Sequence, residues 1–197
     1  PFMMGSASDE IGRYTTDKRE NKHAMTLTHD YYIGVFPVTQ RQWWYMMNAK
    51  PSYFANATCW EGRPVENISY SMIRMTGTAT ADTSCRYPND PGANSFLGKL
   101  RAKTKIDFDL TSGAQWEYAS RSGNVDGKWN DGSLILEAEN DANLNRLARN
   151  LYNGGAPKDG GLAAADATAD AGTPIVGSYL PSSWGLYDMH GGVWELC

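Results

Sequence analysis

The stretch GLYDMHGGVWELC, residues 185–197, places two carboxylates, Asp188 and Glu195, on either side of a glycine pair, Gly191 and Gly192, among large aromatics. Glycine permits tight turns that aim carbonyl oxygens inward, and a calcium ion takes about six to eight oxygen ligands from carboxylates and carbonyls. The same composition also suits a surface turn between core aromatics with both acids in water. The residues alone leave both readings open.

Outward from this stretch, four others precede it: FMMG at 2–5, YIGVFPVTQRQW at 32–43, RPVENISY at 63–70 and LTSGAQWEYA at 110–119. Taken in order, they resemble the formylglycine-generating enzyme family, also called the sulfatase-modifying factor family. That family opens on FxMG, enters a helix from a strand, continues with PVxxVSW and LPTEAEWEYA, and carries GLYDMxGNVWEW. The resemblance spans the chain and implies an α+β, loop-rich, C-type-lectin-like fold with few short helices and short antiparallel strands. It also implies that residues 1–197 are a single sulfatase-modifying-factor domain, truncated at both ends and lacking its C-terminal segment.

The resemblance implies two calcium sites. In one, Asp188 and Glu195 supply carboxylates while Gly191 and Val193 supply backbone carbonyls. In the other, Asn150 gives its side-chain oxygen, Leu151 its carbonyl, and either Asp166 or Asp170 a carboxylate, with Asp170 preferred. Family enzymes oxidise a cysteine of a substrate protein, such as a sulfatase, to formylglycine with oxygen and a copper(I) ion held by a cysteine pair. Soft thiolates suit copper(I). Those cysteines lie beyond the VWEW motif, so copper belongs only with a C-terminal segment carrying them. Cys197 comes too early and takes no catalytic role.

The family motif is altered at several positions: Pro-Thr-Glu becomes Thr111, Ser112 and Gly113, the Asn after the conserved Gly becomes Gly192, and the second Trp becomes Leu196. These changes favour an alternative reading, a non-catalytic C-type-lectin-like module that binds or displays an unidentified ligand. A third reading, an ergothioneine-type iron enzyme, requires a histidine-bearing helical domain that the sequence lacks. No G-x-S-x-G, H-E-x-x-H or phosphate-binding glycine loop is present.

At 197 residues, 41% hydrophobic and 20% charged, the chain has the composition of one globular domain. A net charge of −4 with scattered Lys and Arg disfavours nucleic acid. No apolar run is long enough to span a bilayer. No charged-then-apolar leader precedes Phe2, but the sequence lacks an initiator Met and begins inside the FxMG-like motif, so the compartment stays open and an exported or periplasmic location is one option. Cys59, Cys85 and Cys197 form no CxxC pair; free thiols are the favoured reading, with a Cys59–Cys85 disulfide as the alternative. The histidines read as structural or solvated.

Local signals place the elements. Residues 25–38 alternate and then run β-branched and aromatic, which predicts a hairpin or two paired strands. Thr39 and Gln42 form a T-x-x-Q capping box that opens a helix carrying Trp43, Trp44, Met46 and Met47. Ser69 leads a second helix, residues 95–104 a third with a solvated charged face, and a short strand from Leu110 runs into a fourth helix capped by Ser112 and Gln115. A short helix is expected within 138–147, and residues 153–172 read as loop.

Overall fold

A computed structural model describes residues 1–14, 20–76, 83–153 and 171–197. Helix α1 (Gln40–Met47) starts at the capping box: the Thr39 hydroxyl accepts from Gln42 N, and the Gln42 side chain accepts from Thr39 N. Two orphan donors are thereby satisfied. Ser69 caps α2 (Tyr70–Arg74) and Ser95 caps α3 (Phe96–Thr104). Ser112 and Gln115 close a second full box on α4 (Gly113–Arg121). Both boxes and all four helix starts lie where the sequence places them. The last helix, α5 (Leu144–Leu147), is a single turn, shorter than the expected 138–147. Asp141 is the reason: its buried carboxylate accepts the amides of Leu136, Glu137, Asn143 and Leu144, holding the preceding residues in a turn.

The strand expectation needs correction. The described sheet has two antiparallel strands, β1 (Phe2–Met4) and β2 (His23–Met25), in the register Phe2↔Met25, Met3↔Ala24 and Met4↔His23. Residues 31–38 form no strand; their backbone instead makes single long-range bonds, Val65 N to Val38 O at 2.8 Å and Tyr187 N to Val35 O at 3.0 Å. Pro37 removes a donor within this run, which interrupts a regular ladder. The strand expected from Leu110 into α4 is not formed either.

The main core joins α1, α2 and α3. Trp43 stacks on Phe96 with ring centroids 4.9 Å apart, and Ile73 and Leu97 complete the buried set, with Met46, Met47, Val65 and Leu110 packed around it. Each such side chain contributes about 1.5–3 kcal/mol by burial. Trp44 instead reaches the surface. The α3 charges are not merely solvated, because Arg101 bonds Asp90, Asp109 and the Phe108 carbonyl. Arg74, almost fully buried, grips Asp109 with Nε at 2.8 Å and Nη2 at 2.7 Å and also binds the carbonyls of Asn89 and Cys85.

A smaller cluster positions the C-terminal loop: Ala119 of α4 packs with Leu186 and Met189, flanked by Ile33 and Trp116. The helix is fixed in turn to β1. Gly5 N donates to Glu117 Oε1 at 2.7 Å, and Arg121 bonds both Glu117 and the Gly5 carbonyl. All three cysteines are free thiols, so the favoured reading holds and the disulfide alternative does not. Among the described residues, no helix is long and apolar enough to cross a membrane.

Candidate functional site

The loop of residues 188–193 is clamped from several directions. Gly191 and Gly192 both take positive φ, 62° and 72°. A Cβ on Gly191 would lie 2.1 Å from the Arg149 carbonyl oxygen, so only glycine fits there. Gly192 N donates to that same carbonyl at 2.9 Å. Asn also tolerates the left-handed region, so the change from the family's Asn to Gly192 keeps the backbone conformation. Asp188 is itself left-handed, at φ 58°.

This backbone brings Asp188 and Glu195 into one half-buried, electrostatically coupled site. Asp188 Oδ2 accepts from Gly177 N at 2.7 Å. The Glu195 Oε2 accepts from the indole Nε1 of Trp116. Burial pushes the Asp188 carboxyl up, with the Gly177 bond opposing it. Burial also raises Glu195; the Trp116 bond opposes this, and the negative charge of Asp188 adds to it. Each acid therefore has one oxygen anchored, and repulsion from Asp188 adds, as the smallest of the causes, to the rise at Glu195.

The donor set fits a hard cation in charge and in kind. Asp188 and Glu195 would hold it, with the carbonyls of Gly191 and Val193 beside them. The Gly191 carbonyl already accepts from Val193 N at 2.8 Å in a three-residue turn, which leaves its second lone pair. The other calcium set is less well formed. Asn150 Oδ1 accepts from Tyr152 N at 2.8 Å, while its Nδ2 donates to Asn145. Leu151 is exposed. Asp166 and Asp170 lie outside the described residues. Among the described residues no three His, Cys, Asp or Glu side chains cluster as metal ligands, so any cation here leans on carbonyls.

His190 contributes structure. Its ring meets Trp129 edge to face at 5.2 Å, and although the residue is half-buried, its Nε2 is sealed with no partner among the described residues. Burial lowers its pKa to about 4, against an opposing pull from Asp131, so it is neutral at physiological pH.

The thiols do not fit copper(I). Cys59 is buried beside Asn56, Cys85 lies near Ser84 and Gly92, and Cys197 lies 4.0 Å from the Thr111 hydroxyl, so each has its own neighbours. Burial raises the Cys197 thiol, the Thr111 bond opposes this and the Glu195 charge adds to it, which disfavours the thiolate that binds soft metals.

Two grooves flank the loop, of about 540 and 450 Å³, and both are lined by Gly192, Val193, Trp194 and Glu195. Trp194 is fully exposed. Sequence reasoning named both carboxylates but missed their partners, Trp116 and Gly177. Trp116 stood in a quoted motif, yet spacing along a helix carries no signal of a partner 79 positions away.

The family description "Sulfatase-modifying factor enzyme 1-like domain" matches residues 1–197. The chaperone protein LppX of Paenibacillus barcinonensis is 26% identical over 204 residues, covering 95% of this chain and 69% of that protein. PvdO from Pseudomonas aeruginosa shares the fold, with a TM-score of 0.55 at 22% identity over 96% of this chain. The chain spans 64% of that PvdO chain.

Proposed function

This chain belongs to the sulfatase-modifying factor enzyme 1-like family, and we propose that it serves there as a calcium-braced scaffold whose own residues do not oxidise cysteine. The observation that supports this is the coupled pair Asp188 and Glu195, each with one oxygen anchored and both raised by burial. A divalent cation would relieve that repulsion and fix the loop, with the carbonyls of Gly191 and Val193 completing the set. Asn150 and Leu151, with Asp170, are the weaker second site. A family reaction on a substrate protein such as a sulfatase would need a copper-binding cysteine pair from elsewhere.

The test is calorimetric. Calcium raises the melting temperature, and Glu195→Ala removes most of the rise; a well-folded sample that ignores calcium overturns both sites. Incubated with copper, oxygen and a sulfatase-type peptide, the chain yields no formylglycine by mass spectrometry, and detectable turnover refutes the non-oxidase assignment.

A second reading, a ligand-binding module, draws on the fully exposed Trp194 between two grooves. The name of the Paenibacillus relative, a chaperone, makes a polypeptide segment the ligand to try first. On this reading the chain suppresses aggregation of an unfolded client, and Trp194→Ala weakens the effect; an unchanged variant argues against it.

A further inference from the structure

Trp116 stands on a helix that is fixed on both sides of it. Tyr31 donates its hydroxyl to the Gln115 carbonyl at 2.6 Å, and Gly5 N donates to Glu117 Oε1 at 2.7 Å. One turn further along α4, Ala119 packs against Leu186 and Met189. The indole is thus held from the helix side, and its single N–H goes to Glu195 Oε2. Asp188 is anchored from a different part of the chain, through Gly177 N at 2.7 Å. The other oxygens, Glu195 Oε1 and Asp188 Oδ1, make no hydrogen bond with any described residue. Trp116, Asp188 and Glu195 line one groove.

The chemistry of this anchor suits an acid that must still bind a cation. A Lys or Arg in the place of Trp116 would pair with the Glu195 carboxylate and cancel the charge that attracts calcium. The neutral indole orients the acid and leaves that charge intact. A glutamate has three side-chain torsions, and fixing them on binding costs entropy. An acid held beforehand has already lost that freedom, which strengthens binding. Donors that orient a metal's ligands typically account for about 10–100-fold in metal affinity. Given the calcium reading of this loop, we propose that Trp116 is a positioning residue for the cation: it holds Glu195 by Oε2, leaves Oε1 to calcium, and so ties cation binding to α4.

The experiment is a calorimetric titration with calcium at pH 8 on the parent, Trp116→Phe and Trp44→Phe, with the indole N–H resonances followed by NMR. The chain has seven tryptophans, and the resonance missing from Trp116→Phe identifies Trp116. Calcium shifts that resonance in the parent, saturably and with the midpoint seen by calorimetry, because the acid it bonds is a ligand. Trp116→Phe binds calcium about tenfold more weakly. Trp44→Phe, on the exposed side of α1, binds it as the parent does. A Trp116 that served folding alone would move neither the resonance with calcium nor the affinity of the folded variant. Where Trp116→Phe does not fold, the resonance is assigned through its neighbours in the labelled parent, and its response to calcium decides. A parent that binds no calcium overturns the calcium reading and this role with it. A parent that binds calcium with an unmoved Trp116 resonance, or a folded Trp116→Phe of unchanged affinity, overturns the positioning role alone.

Discussion

The indole Nε1–H of Trp116 donates to the Glu195 carboxylate and so ties α4 to the C-terminal loop. Trp116→Phe keeps an aromatic ring but removes the only donor that holds Glu195 Oε2 among the described residues. A half-buried carboxylate left without its donor costs about 1–3 kcal/mol. Chemical denaturation reads that loss at neutral pH. The loss shrinks in acid, where Glu195 is protonated.

The carboxylate pair sets a pH dependence of unusual sign. Asp188 and Glu195 both titrate above their ordinary values, burial being the main cause. Between the ordinary and the raised values, the folded chain holds protons that the unfolded chain has released. Their contribution to stability is full below the ordinary carboxylate range and is lost as pH rises through the raised values. Glu195→Gln retains an acceptor for Trp116 and removes the charge. Without calcium, the variant therefore melts higher than the parent at pH 8 and no higher at pH 3, as thermal scans at the two pH values would show. Calcium reverses the ranking at pH 8, because it binds only the ionised pair.

Helix starts were legible in the sequence because capping is local. Thr39 with Gln42, and Ser112 with Gln115, act across three residues, and both boxes formed as read. The pairing of 2–4 with 23–25 was not legible, because the alternation beginning at Met25 continues toward Val38 and points to a local hairpin. The carboxylates of the candidate site could be named because the acids flank glycines in one short segment. Their environment could not, since it depends on Trp116, Gly177 and Arg149 arriving from three distant parts of the chain.

His190 supplies the opposite acid response. Its ordinary pKa of 6.5 is lowered to about 4 in the folded chain, chiefly by burial. The unfolded chain takes up a proton as pH falls from 6.5 toward 4, and the folded chain resists doing so. The stability due to neutral His190 is present above about pH 6.5 and is lost as pH falls to about 4, an effect on the order of 2–3 kcal/mol. His190→Gln removes this response. The difference in unfolding free energy between parent and variant shrinks from pH 7 to pH 4, and urea titrations at both pH values would show it; a constant difference means that the ring is solvated in the native state.

Gly191 tests whether the loop geometry itself matters. Its positive φ of 62° disfavours any L side chain, and the added Cβ of Gly191→Ala would meet the Arg149 carbonyl oxygen at 2.1 Å. That obstacle is backbone, so it cannot turn aside as a flexible side chain would. The loop must lift from residues 148–149, breaking the bond from Gly192 N to Arg149 O. Left-handed strain and the lost contact together cost about 2–4 kcal/mol. Hydrogen exchange gives the sharper readout. The Gly192 amide loses protection in Gly191→Ala, while amides of α1 and α3, in the separate core around Trp43 and Phe96, keep theirs. Loss of protection across both regions would mean that the loop and the main core unfold as one cooperative unit.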